Sequence, residues 1–267
     1  MIMVDQHNGA CSFGVLILHG FTGTLESVQA LYLPLQKLGI AVSMPLLAGH
    51  GAASPEQLRG ISWHTWLHDA DLALQKLSCE RERIIVIGHS MGALLALNLA
   101  VKYPDKIDAL VLATPALKLL SLFAPGRPMQ FLAPLVSKVL KNWELKTLFA
   151  EPQCSSLMLH YSWVPTNAIL SFFELIKWTQ QQLCRVTTPV LVLQCRKDST
   201  VHPESATILF NNIATDPSAK SIIWLEHSDH QLFCDGERAK AVQVIIDYVA
   251  DRMRRCRELA DIERVSS

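Results

Sequence analysis

Short apolar runs recur along the chain, and between them apolar residues return every three or four positions. The runs 15–18, 40–44, 84–87, 109–113, 190–194 and 221–225 read as six strands. Most are near-continuous in Val, Ile and Leu, the pattern of a strand covered on both faces. Helical periodicity fills 27–38, where Gly39 supplies a stop, and then 63–77, 91–103, roughly 204–212 and 237–257. In 63–77 apolar residues at 63, 66, 67, 70, 73, 74 and 77 follow helical spacing. Strands that alternate with helices in this way predict right-handed crossovers and a doubly wound, mostly parallel α/β sheet.

Residues 115–185 break the rhythm. The stretch holds six prolines and many large apolar residues, as in LKLLSLFAPGRPMQFLAPLVSKVL, and no clear strand. It reads as a mostly helical insertion, closed by Pro189 just before the next strand. The expected division is therefore a core of residues 1–114 and 186–267 with a cap at 115–185.

Composition narrows the function classes. The chain has 267 residues, half of them hydrophobic, enough to bury a sizeable core without disulfides. Lys and Arg together number 24, as do Asp and Glu, so there is no global basic excess for nucleic acid. The one local basic cluster, RMRRCR at 252–257, reads as a solvated helix face. The seven cysteines are odd in number and contain no C-x-x-C pair, which argues against a disulfide framework and a zinc site. Reduced, packed thiols in a cytoplasmic protein are expected. The first residues lack the basic and apolar regions of a signal peptide, and no run is apolar enough to span a bilayer.

Chemistry enters at Gly88-His89-Ser90-Met91-Gly92, a G-x-S-x-G sequence between a predicted strand and a predicted helix. Five letters alone are a weak pattern, because Gly and Ser are common. The flanking elements make it specific. A nucleophile elbow is a strained strand-to-helix turn that lifts a serine hydroxyl above the sheet edge, and the two glycines leave room where strand and helix nearly collide. The helix N-terminus also favours developing negative charge.

A serine nucleophile needs a base, and the base needs an acid to orient it. Asp198 follows the run 190–194, at a strand end where catalytic groups gather in open sheets. Asp229 and Asp235 compete with it. After 221–225 comes Glu226-His227-Ser228-Asp229-His230. His230 is favoured as base because it lies farther from the strand end, on a loop able to reach the serine. His227 and His202 are the competitors. His89 reads as structural, its side chain turned away from that of Ser90. An oxyanion hole would take one N–H from Met91, the residue after the nucleophile. The other would come from the loop His19-Gly20-Phe21-Thr22-Gly23, with Phe21 as the backbone donor.

The set HGFTGT, PLLAGHG, GHSMGA, LQCRKDSTVHP and EHSDHQLF closely resembles the α/β-hydrolase superfamily over about residues 14–250. Within it, the chain is similar to small bacterial carboxylesterases and monoacylglycerol lipases, chiefly through HGFTG and AGHG. The resemblance implies Ser90, Asp198 and His230 as triad and Phe21 and Met91 as oxyanion donors, with 115–185 as the cap over an acyl pocket. It further implies hydrolysis of short- to medium-chain esters or monoacylglycerols through an acyl-enzyme, with no metal or organic cofactor required. Cleavage of a thioester, amide or activated C–C bond by the same triad is the alternative, and a non-catalytic binding module of this fold, which would be expected to lack a triad member, is the last. The expected partner is a small ester with a hydrophobic acyl group, without nucleic acid or stable membrane insertion. The cap's apolar residues could line that pocket or bury the cap's own core. One departure stands out: many relatives carry Ser-Gly-His where this chain has Ser228-Asp229-His230.

Overall fold

A computed structural model describes residues 12–145, 149–151 and 161–265 of the chain. The elements run β1 (Phe13–Leu18), α1 (Tyr32–Lys37), β2 (Ala41–Ser43), α2 (Trp63–Ser78), β3 (Arg83–His89), α3 (Met91–Lys102) and β4 (Ile107–Ala113). They continue with α4 (Ala133–Val139), β5 (Asn142–Glu144), β6 (Trp163–Pro165), α5 (Thr166–Gln182), β7 (Val190–Cys195), α6 (Glu204–Asn212), β8 (Lys220–Leu225) and α7 (Arg238–Val265). Six strands form one sheet in the order β2-β1-β3-β4-β7-β8, and every neighbouring pair is parallel.

Side chains alternate across this sheet, so each strand feeds two cores. Val15, Ile17, Ile85, Ile87 and Val111 pack with Leu35 of α1 and Ala241, Ile245 and Val249 of α7. Leu16, Leu18, Val86, Leu110 and Leu112 pack on the opposite side with residues of α2, α3 and α6. The four inner strands, β1, β3, β4 and β7, are buried on both faces, which is why they are apolar at consecutive positions. The order reverses beside β1 and β3, so their C-terminal ends border the crevice where open α/β sheets place their chemistry.

The chain between β4 and β7 leaves the sheet and returns across it. Phe172, Leu175 and Ile176 of α5 share the buried cluster that contains α3. Buried polar contacts fix the crossing: Asn98 Nδ2 donates to Thr179 Oγ1 at 2.7 Å, and the Trp63 amide donates to Ser171 Oγ at 2.7 Å.

Several expectations are corrected. The helix expected over 27–38 is two short 3-10 turns, Leu25–Ser27 and Gln29–Leu31, followed by α1. Pro34 lacks an amide proton and its ring would clash with a carbonyl four residues back, so an α-helix cannot run through from residue 27. The stretch 115–185 is not strand-free, because β5 and β6 pair antiparallel. With three residues each and a proline at one end, they carry no readable alternation. The last helix runs to Val265 rather than 257. Within RMRRCR, Arg252 is not a solvated charge: its Nε lies 2.8 Å from the buried Asp108, which Arg83 also meets at 3.0 Å. Arg254 and Arg255 both pair with Asp251. Cys195 is buried, as expected of a packed thiol, whereas Cys79 and Cys184 are exposed. No helix among the described residues is long and apolar enough to cross a membrane.

Candidate active site

Ser90 sits between β3 and α3 with φ 55° and ψ −113°, a conformation that side-chain-bearing residues rarely adopt. Such a residue costs on the order of 1–3 kcal/mol and persists only where its surroundings over-determine it. Here the surroundings are explicit. The Ser90 amide donates to the Ala113 carbonyl on β4 at 2.9 Å, and the Ser90 carbonyl accepts from the Ala93 amide at 3.1 Å. A side chain at Gly88 would strike the Gly92 carbonyl, and one at Gly92 would strike the Leu18 carbonyl at the end of β1. Glycine at both positions lets β1, β3 and α3 converge beneath the serine.

The turn after β7 brings Asp198, and the loop after β8 brings His230, to the same sheet edge. His230 Nε2 lies 2.9 Å from Ser90 Oγ, and His230 Nδ1 lies 2.9 Å from Asp198 Oδ2. With Nδ1 protonated, the imidazole donates to the carboxylate and accepts from the serine hydroxyl. The other oxygen of Asp198 accepts from the amides of Thr200 and Val201, at 2.9 and 2.7 Å. All three residues are buried, at 6, 4 and 6% exposure for Ser90, Asp198 and His230.

The competing residues stand elsewhere. His227 is exposed, and its amide bonds Glu237. His202 Nδ1 accepts from the Glu204 amide, away from the serine. Neither Asp229 nor Asp235 meets the imidazole; both accept backbone amides in the loop that carries it.

Met91 is the first residue of α3, so its amide is one of those a helix leaves unpaired within itself. Phe21 lies in the turn after β1, and its ring stacks on Phe172 at 5.0 Å. His19 anchors that turn. Its Nε2 accepts from the Leu47 amide at 3.1 Å, so Nδ1 carries the proton and donates to the Gly20 carbonyl at 2.9 Å. Burial pushes the His19 imidazolium down to about 4, partly offset by the Gly20 bond, and keeps the ring neutral.

A cavity of about 200 Å³ opens in front of Ser90 and His230. Phe21, Leu119, Leu145, Ile169 and Phe172 make its apolar walls. A smaller cavity of about 60 Å³ adjoins it between α4 and α5. Ser121, Trp143, Ile169 and Phe173 border both. Among the described residues no cluster of His, Cys, Asp and Glu has the makings of a metal site.

A family profile described as "Serine aminopeptidase, S33" matches residues 13–237, most of the chain. The chain belongs to this family. Its members are serine hydrolases, and this chain is similar to a thermostable monoacylglycerol lipase of Bacillus sp. (strain H-257), at 29% identity over 89% of this chain and 90% of the relative. It is also similar to a carboxylesterase of Bacillus subtilis (strain 168), at 27% identity over 88% of this chain and 91% of the relative. A solved structure from work on LipS and LipT, two metagenome-derived lipolytic enzymes, superposes with a TM-score of 0.81 at 23% identity. That match covers 91% of this chain and 95% of the other. The monoacylglycerol lipase of Paleococcus ferrophilus superposes with a TM-score of 0.72 at 21% identity, over 91% of this chain and 96% of the other. The parallel six-stranded sheet is the α/β-hydrolase fold.

In this serine hydrolase, three residues near the site make bonds whose partners residue patterns do not show. His89 does not merely fill space: its ring lies against that of His230, and its Nε2 donates to the His230 carbonyl at 3.0 Å. Burial and the neighbouring His230 push the His89 imidazolium down to about 3. Asp229 and Asp235 are the other two. In the sequence Asp229 stands out as a carboxylate where many relatives carry glycine, and Asp235 only as a competitor of Asp198.

Proposed function

We propose that the chain hydrolyses carboxylic esters with a hydrophobic acyl group, short- to medium-chain esters or monoacylglycerols, with Ser90 as nucleophile. The hydrogen-bonded series Ser90–His230–Asp198 at the mouth of an apolar cavity carries the reading. His230 removes the hydroxyl proton as Ser90 Oγ attacks the ester carbonyl. Asp198 holds the imidazole in the required tautomer and stabilises the imidazolium. The amides of Phe21 and Met91 receive the oxyanion. His230 then protonates the departing alcohol, leaving an acyl-enzyme. In the second half the same imidazole activates water, and the acid leaves. The segment 115–185 acts as the cap, its α5 supplying Ile169 and Phe172 to the acyl side.

Ester rather than aminopeptide cleavage is supported by the cavity walls. An aminopeptidase must neutralise the ammonium group of its substrate, and among the described residues lining the cavity there is no Asp or Glu. The similarity to lipases and carboxylesterases points the same way.

A panel of p-nitrophenyl esters, monoacylglycerols and amino-acid p-nitroanilides, run on wild type and Ser90→Ala, tests the reading. Esters should be turned over by wild type only, and the anilides by neither. Anilide cleavage without ester turnover would replace this reading with the aminopeptidase one.

A further inference from the structure

We propose that Asp229 and Asp235 are positioning residues, two linked buried carboxylates that hold His230 in register with Asp198. The proposal rests on His230 being the catalytic base. Asp229 Oδ1 accepts from three donors: the Ser199 amide at 2.7 Å, the Ser199 hydroxyl at 2.8 Å and the His230 amide at 2.6 Å. Ser199 follows the acid of the series, and His230 is its base. One oxygen atom thus joins the two loops that must meet for the Asp198–His230 bond to form.

Asp235 repeats the device one step farther out. Its Oδ2 accepts from the Asp229 amide at 2.7 Å and the Ala150 amide at 2.9 Å, and its Oδ1 accepts from the Glu151 amide at 3.0 Å. Ala150 and Glu151 belong to the stretch between β4 and β7. The base loop is therefore tied both to the acid loop and to the segment that crosses the sheet edge. Asp229 and Asp235 are 7 and 3% exposed, so water is a poor substitute for either acceptor. An ionised carboxylate suits this task because both oxygens only accept. An amide at Asp229 can keep one oxygen facing its donors. An amide at Asp235 must turn an N–H toward a backbone N–H.

The test is kcat for p-nitrophenyl butyrate per active site, with sites counted by fluorophosphonate labelling of Ser90. Asp229→Ala should lower kcat per labelled site about tenfold or more, with KM changed by less than about twofold, because misplacing a base costs turnover rather than binding. Asp229→Asn should restore kcat to within about threefold of wild type, and Asp235→Asn should stay several-fold down. A purely structural role would instead reduce the melting temperature and the number of labelled sites, leaving kcat per site unchanged. That result, or an Asn variant at position 229 as slow as the Ala variant, overturns the proposal. Should Asp229→Ala fail to fold, Ser199→Ala removes only the hydroxyl's bond. A drop in kcat per site of about twofold or more then supports the proposal, and no change overturns it. Ester turnover surviving in Ser90→Ala would instead sink the catalytic reading itself, a separate outcome.

Discussion

Ser90 is held in a backbone conformation that few serines occupy, and the groups that hold it there also aim it at His230. Replacing the hydroxyl should remove activity without unfolding the chain: Ser90→Ala is expected to lose about 10⁴-fold or more in kcat. His230→Ala should lose a comparable factor. His227→Ala, at an exposed position whose backbone makes the observed bond to Glu237, should stay within about twofold of wild type in the same assay. A larger loss in His227→Ala than in His230→Ala would reverse the assignment of the base. The glycines answer to a different measurement. Gly92→Ala drives a methyl into the Leu18 carbonyl, so its urea midpoint should fall, with a cost of about 1–3 kcal/mol or more.

The cavity in front of Ser90 and the smaller one between α4 and α5 share Ile169 as a wall, and a path from the first to the second would run past it. Ile169→Trp should close that path. Its kcat/KM for an octanoate ester should fall about tenfold relative to wild type, while that for a butyrate ester changes by less than about threefold. Equal losses on both esters would mean that the chain does not run that way. At this scale the sheet was legible from its letters, because strands buried on both faces cannot hide their apolar runs. Ser90, Asp198 and His230 could be picked out for a related reason: each follows a strand end, and strand ends are readable. Less survived outside the sheet. β5 and β6 are too short to show a period, and Pro34 divides a helical pattern that looks continuous. His89 and Asp235 bond backbone groups, the His230 carbonyl and the Asp229 and Ala150 amides, and composition does not record where a backbone group will lie.

Across the molecule, three buried histidines around the site, among the described residues, resist protonation. Burial pushes His19 down to about 4. Burial and then the charge of His19 push His50 down to about 3, and burial and then His230 push His89 to about 3. Below an ordinary histidine pKa of about 6.5 the unfolded chain takes up protons that the folded chain refuses. Stability should therefore be complete above that value and decline as pH falls toward about 4. Urea unfolding at steps from pH 7.5 to 4.5 checks this, and a midpoint that stays level across the range would contradict it. The proposed chemistry turns on Ser90 acting as a nucleophile toward esters. Intact-protein and peptide mass spectrometry of fluorophosphonate-treated enzyme, with p-nitrophenyl butyrate turnover followed in parallel, tests it most directly. One adduct per chain is expected, on Ser90, accumulating in step with loss of turnover. Turnover that persists after Ser90 is fully modified would contradict it.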